Sequence, residues 1–100
     1  DGNESIQIFP EGSVIYTPAC TPNSQRFAPD SYLLVMERKR RLGEVDRFQW
    51  YCPNCDALLH EIECVVDDYR NDPVSKAYAA FFDNEVARTC RQCGEVMKRP

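Results

Sequence analysis

With 100 residues, of which 43% are apolar, 11% aromatic and 28% charged, the chain has the composition of one globular domain or a large piece of one. The net charge of −4 argues against a nucleic-acid surface, which carries a clustered basic excess, and no apolar run approaches the ~20 residues of a membrane-spanning helix. A domain of this size buries about 60–65% of its unfolded surface, so its core is modest and a covalent or metal staple would help to hold it. The chain opens on Asp1 rather than Met, which fits either a fragment or a chain from which a leader has been removed, as on organelle import.

In chain order, Ser5–Phe9 and Ser13–Thr17 are β-rich runs on either side of the turn signal Pro10-Glu11-Gly12. Residues 17–30 hold three prolines among small polar residues and read as loop. Tyr32–Glu37 reads as a buried strand, and the basic run Arg38–Arg41 as its solvated end. Phe48–Cys52 is a further strand. From Leu58 the apolar residues Leu58, His60, Ile62, Cys64 and Val66 share one side, as in a half-buried strand. Asp72 offers an N-cap with Pro73 at the first helical position, and Val74, Ala77, Tyr78 and Phe81 recur at helical spacing, predicting a helix to about Phe82. That stripe reads as core.

The six cysteines carry the chemistry. Cys52 and Cys55 form one Cys-x-x-Cys pair, Cys90 and Cys93 another. Two residues between cysteines let a tight turn aim both sulfurs at one ion, so the two pairs read as a four-thiolate metal site. Gly94 after the second pair suits a turn that needs positive φ, and Asp56 holds the same place after the first. Disulfides and a redox dithiol are the alternatives; the latter needs a βαβ setting that the sequence does not show. Cys20 and Cys64 read as packed free thiols, and with the thiolate site they indicate a reducing, intracellular compartment.

Two stretches together are familiar. Residues 11–40, from Glu-Gly-Ser-Val through Asn23-Ser24-Gln25-Arg26 to Glu37-Arg38-Lys39-Arg40, resemble the second half of the cupin barrel of 3-hydroxyanthranilate 3,4-dioxygenases. Residues 48–96, with both cysteine pairs, resemble the rubredoxin-like metal extension at the C-terminus of some members. The resemblance implies a mainly β fold, a partial cupin-like half jelly-roll over residues 1–46 and a metal-binding extension with one helix over residues 47–100. It implies that Arg26 grips the substrate carboxylate and Glu37 contacts its polar ring substituents. In the family an iron is held by two histidines and a glutamate. Asn23 stands where the second histidine is expected, with one proline missing, and His60, the one histidine of the chain, lies beyond the first cysteine pair.

The expectation drawn from these residues is a non-catalytic module, not itself an enzyme, carrying one zinc or iron ion on Cys52, Cys55, Cys90 and Cys93. It would serve as an accessory subunit whose open sheet other protein subunits cover, without nucleic acid or a transmembrane segment, in a mitochondrial or cytosolic setting. The alternatives are the C-terminal portion of an active dioxygenase and a zinc-ribbon interaction module. His60 reads as a partly buried strand residue.

Overall fold

Apolar alternation is first realised in the hairpin that leads into the first cysteine pair. In the computed structural model, which describes residues 4–100, β1 (Asp46–Tyr51) and β2 (Leu58–Cys64) pair antiparallel, from Asp46 opposite Cys64 to Trp50 opposite His60. Phe48, Trp50 and Ile62 face the core. Arg47 and Glu63 lie on the outer face, 2.7 Å apart, with Glu61 at 3.8 Å from the same guanidinium. Pairing slips between Trp50 and Tyr51, so that Tyr51 meets Leu58 and Leu59 is the extra residue of a bulge. This corrects the simple alternation: Leu58 is 52% exposed, and Leu59 packs against the core.

A two-stranded hairpin is marginal alone, and α1 (Pro73–Phe82) supplies its cover. The helix starts where the sequence places it. The Asp72 carboxylate accepts from the Ser75 N–H at 3.0 Å, and Pro73 fills a position whose donor would be unused. Ala77 and Phe81 are buried, while Val74 and Tyr78 sit at the edge of the stripe. The Phe81 ring stacks on Trp50 with centroids 4.3 Å apart and planes 11° from parallel. Tyr78 meets Trp50 edge-on at 5.7 Å. Burying a side chain such as Phe81 contributes about 1.5–3 kcal/mol, so this stack is the main cohesion between helix and hairpin. No described helix is long and apolar enough to cross a membrane.

Two elements go beyond the sequence reading. Tyr69–Asn71 forms a 3-10 turn, and α2 (Glu85–Arg88) is capped by Asn84, whose carboxamide oxygen accepts from the Ala87 N–H at 3.3 Å. After the second cysteine pair the chain returns: Thr89 bridges Val96, and Arg88 and Met97 are joined by bonds of 3.0 and 2.8 Å.

The chain divides into two units, one of Ser5–Arg38 and one built mainly from Lys39–Pro100. All the elements above belong to the second. In the first, the strands expected at Ser5–Phe9, Ser13–Thr17 and Tyr32–Glu37 are not formed, and the half jelly-roll sheet is absent among the described residues. What stands of the expected mainly β fold is one two-stranded antiparallel sheet beside a helix. The turns do form: Ser13 N–H donates to Pro10 O at 3.2 Å with Gly12 at φ 84°, and Ser31 N–H donates to Ala28 O at 3.3 Å. A strand, unlike a turn, needs the donors and acceptors of a neighbour. The runs here leave Ile8, Val14, Tyr32 and Met36 between 86% and 97% exposed.

The basic run also differs from the expected solvated strand end. Arg40 Nε donates to Asp46 Oδ1 at 2.7 Å, and its Nη2 donates to Asp46 Oδ2 at 3.2 Å and to the Tyr69 hydroxyl at 2.9 Å. Tyr69 in turn donates to Asp46 Oδ2 at 2.8 Å. This latch ties the connector and the 3-10 turn to the first residue of β1. The Arg40 guanidinium, and after it the Tyr69 hydroxyl, hold the Asp46 carboxyl below its ordinary value against the opposing effect of burial. A depressed folded-state value adds stability above the ordinary Asp value of about 3.9 and loses it as pH falls through the folded value. Asp46→Asn should therefore lower the urea midpoint near neutral pH and have little effect in strong acid. An equal loss in both conditions would show that the charge is not what the latch uses.

Candidate metal centre

Cys52 follows β1 directly, and the turn it opens is closed at both ends. Asp56 N–H donates to Cys52 O at 3.0 Å, and Cys52 N–H donates to Ala57 O at 2.8 Å. The second pair repeats the pattern, with Gly94 N–H to Cys90 O at 2.9 Å and Cys90 N–H to Glu95 O at 2.7 Å. Each turn ends in a residue of positive φ, Asp56 at 60° and Gly94 at 80°. The two knuckles bring all four sulfurs within 4.8 Å of one another. Across the knuckles, Cys52 and Cys93 stand 3.5 Å apart, and Cys55 and Cys90 3.6 Å. Cys52 and Cys90 are buried, whereas Cys55 and Cys93 lie toward the surface.

Main-chain donors surround the sulfurs. Asn54 N–H reaches Cys52 Sγ at 3.4 Å. The N–H groups of Cys93 and then Gln92 lower the Cys90 thiol. Glu95 N–H, followed by the Asn54 side-chain amide, brings Cys93 down to about 6. At Cys55 the Ala57 N–H acts in the same sense, but burial and the neighbouring sulfurs outweigh it and push the thiol up to about 12. Four anionic sulfurs this close repel one another, and a cation between them removes the conflict.

The donor set fits such an ion. A tetrahedral metal about 2.3 Å from each sulfur sets sulfur–sulfur edges of about 3.8 Å, within the range bounded by the 3.5 Å contact and the 4.8 Å limit seen here. Soft thiolates accept zinc or iron. All six cysteines are free thiols, and the cross-knuckle separations far exceed the ~2.05 Å of a disulfide.

The remaining candidates lie elsewhere. Cys20 is exposed, in the Ser5–Arg38 unit. Cys64 ends β2 beside an open cleft of about 340 Å³, its thiol pushed up by burial and then by Asp46. His60 sits on the inner face of the hairpin, 5.9 Å from the Phe81 ring and 6.3 Å from Trp50, within the aromatic cluster. Arg26 and Glu37 are exposed residues of the Ser5–Arg38 unit. Asn23 is occupied locally: its Nδ2 donates to Thr21 O at 3.0 Å and its Oδ1 accepts from Gln25 at 2.9 Å. The sequence reading missed Asn54, although a carboxamide inside a two-residue knuckle loop is itself a signal.

Comparison with known proteins places the chain. The family model described as 3-hydroxyanthranilic acid dioxygenase matches residues 1–82. The chain belongs to that family. A 3-hydroxyanthranilate 3,4-dioxygenase of Shewanella woodyi is 42% identical over 87 residues, covering 86% of this chain and 46% of the relative. Those of Neurospora crassa and Bacillus cereus are 40% and 33% identical and cover 94% and 97% of this chain. The chain spans about half the length of the curated relatives it matches. The expectation that the chain is not an enzyme is thereby corrected: its relatives in the dioxygenase family are named as enzymes across nearly its whole length. The expectation rested on a count of histidines in 100 residues, and the relatives are about twice as long.

The two knuckles differ in how they meet the demand for positive φ. Nothing lies within 4 Å of a Cβ added at Gly94, so Gly94→Ala should cost the backbone strain alone, about 1–2 kcal/mol. Asp56→Gly should be close to neutral, because relief of strain offsets added freedom in the unfolded chain. Thermal denaturation of both variants would check this, and similar losses in the two would contradict it.

Proposed function

We propose that the chain is the C-terminal portion of a 3-hydroxyanthranilate 3,4-dioxygenase, and that one zinc or iron ion on Cys52, Cys55, Cys90 and Cys93 holds its Lys39–Pro100 unit together. The observation that carries the first half is the family match, with relatives of that name covering nearly all of the chain. The observation that carries the second is the convergence of four sulfurs from two like-built turns. On this reading Arg26 grips the carboxylate of the aromatic substrate, for which a guanidinium offers paired donors, and Glu37 meets its polar ring substituents.

The ring-opening iron is a different centre from the thiolate site. A facial set of two histidines and a carboxylate leaves positions open for oxygen and substrate. A chain whose one histidine is His60, inside the aromatic cluster, does not supply that set. The reading assigns the first histidine and the glutamate to the part of the relatives' length that these 100 residues do not span, and leaves Asn23 at the position where the resemblance expects the second histidine. It also assigns the exposed apolar runs of Ser5–Arg38 to contact with further protein of the same assembly, in a reducing mitochondrial or cytosolic compartment.

Metal analysis should find about one zinc or iron per chain. Serine at any of Cys52, Cys55, Cys90 or Cys93 should remove the metal and sharply lower stability, since binding is part of the folding free energy in small metal-held units. Cys20→Ser and Cys64→Ser should leave both intact; equal damage at all six cysteines would sink the assignment.

For the catalytic reading, the dioxygenase containing this chain should take up oxygen with 3-hydroxyanthranilate and ferrous iron. Arg26→Ala should raise KM about tenfold or more, as loss of a charged hydrogen bond does, and Asn23→His should raise iron affinity. Iron-loaded protein that leaves the ring unopened would overturn the reading.

A further inference from the structure

We propose that Arg88 is a positioning residue of the thiolate site: by holding Met97 O it keeps the second knuckle shut, and that knuckle is the one through which the metal comes and goes. The inference rests on the metal reading above and deepens it by assigning the order in which the site opens.

The two knuckles are moored unequally. The first turn, from Cys52 to Ala57, continues at both ends into β1 and β2, whose ladder runs from Tyr51 opposite Leu58 back to Asp46 opposite Cys64. Opening that turn would fray a hairpin whose Trp50 is buried in the aromatic core. The second turn has no such ladder behind it. Among the described residues its closure rests on one bridge, Thr89 to Val96, flanked by Cys90 N–H to Glu95 O at 2.7 Å and Met97 N–H to Arg88 O at 3.0 Å. Farther along, Arg99 pairs with Asp83, but both side chains are more than half exposed, and a surface ion pair of that kind adds little.

Arg88 stands at the end of that bridge. Its C=O accepts from Met97 N–H, and its Nη1 donates to Met97 O at 2.8 Å, so one residue grips both polar groups of Met97. Arg88 is itself fixed: its N–H donates to Asn84 O at 3.2 Å, and the next residue's hydroxyl, on Thr89, donates to Glu85 O at 2.7 Å. Met97 packs against the cluster of Trp50, Ala77, Phe81 and Ala87, so the grip ties the returning chain to the core. The Arg88 Nε is buried and meets no acceptor among the described residues. Burying a charged group with a donor unused is costly; the bond to Met97 O is what the side chain is placed to make. Local opening starts in the segment held by the fewest contacts. Here that segment carries Cys90 and Cys93, so these two sulfurs leave the ion first and return to it last.

The test uses the whole dioxygenase containing this chain, loaded with zinc. Zinc release is followed with a chromophoric chelator, and hydrogen exchange by mass spectrometry on peptides covering residues 50–58 and 88–98. In the unaltered protein the second peptide should exchange faster than the first, a comparison that needs no variant; equal or slower exchange there overturns the proposal. Arg88→Met keeps an apolar stem and loses the donor. It should release zinc about tenfold faster, the scale of a hydrogen bond from a charged group. Exchange should rise by a similar factor in the second peptide and stay within about twofold in the first. Arg88→Lys returns a charged donor on a stem one atom shorter, and should fall between Arg88→Met and the wild type. Arg99→Gln, which removes the exposed ion pair, should release zinc within about twofold of the wild-type rate. Wild-type release from Arg88→Met, or exchange that rises equally in both peptides as a general loss of stability gives, would overturn the proposal. So would equal acceleration by Arg88→Met and Arg99→Gln. If the unaltered protein takes up no zinc, the metal reading fails by itself, and the two peptides of the metal-free protein still decide which knuckle opens first.

Discussion

Four sulfurs within 4.8 Å of one another are a demand that the rest of the Lys39–Pro100 unit is arranged to meet. Neutral thiols could sit so close at little cost; thiolates cannot without a cation. Each sulfur is brought in by a turn closed with two main-chain bonds. The first knuckle continues β1, and the second follows α2, whose buried Ala87 belongs to the same core cluster as Trp50 and Phe81. The sulfurs and the aromatic stack are therefore two ends of one structure. Shifting α1 against the hairpin would move α2 as well, and with it Cys90.

What could be read from the sequence was what is local. The start of α1 needs only Asp72, Pro73 and the Ser75 N–H, all within four residues. The knuckles need only their own spacing and a residue able to take positive φ. The hairpin was legible except at Leu58 and Leu59, where a bulge reverses which leucine is covered, because register depends on the partner strand. Arg40, Asp46 and Tyr69 escaped for a similar reason: a basic run looks solvated until a residue 29 positions away turns out to face it. Ser5–Arg38 is the extreme case. Its β-rich alternation is a statement about what the segment suits, whereas a ladder requires a neighbour, and no ladder forms among its described residues.

The functional residues divide along the same line. The four clustered cysteines announce themselves because a thiolate site would require only one another. For Arg26, Glu37 and Asn23 no contact in the structure points to a substrate or an iron, and resemblance alone suggests their roles. Counting histidines in 100 residues pointed away from an enzyme; relatives about twice as long point back to one. The count was sound chemistry applied to about half of the relatives' length.

The two metal chemistries of this reading also differ in kind, which settles what the thiolate site can contribute. Ring opening needs an iron with vacant positions, so that oxygen and substrate can bind side by side. Four cysteines filling a tetrahedron leave no vacancy, whichever of zinc or iron is held. Cys52 and Cys90 are buried while Cys55 and Cys93 lie toward the surface, so it is the filled tetrahedron, and not a closed cavity, that would deny oxygen a place. An ion held there would therefore act through stability, fixing the end of a hairpin whose own core is a few aromatic rings.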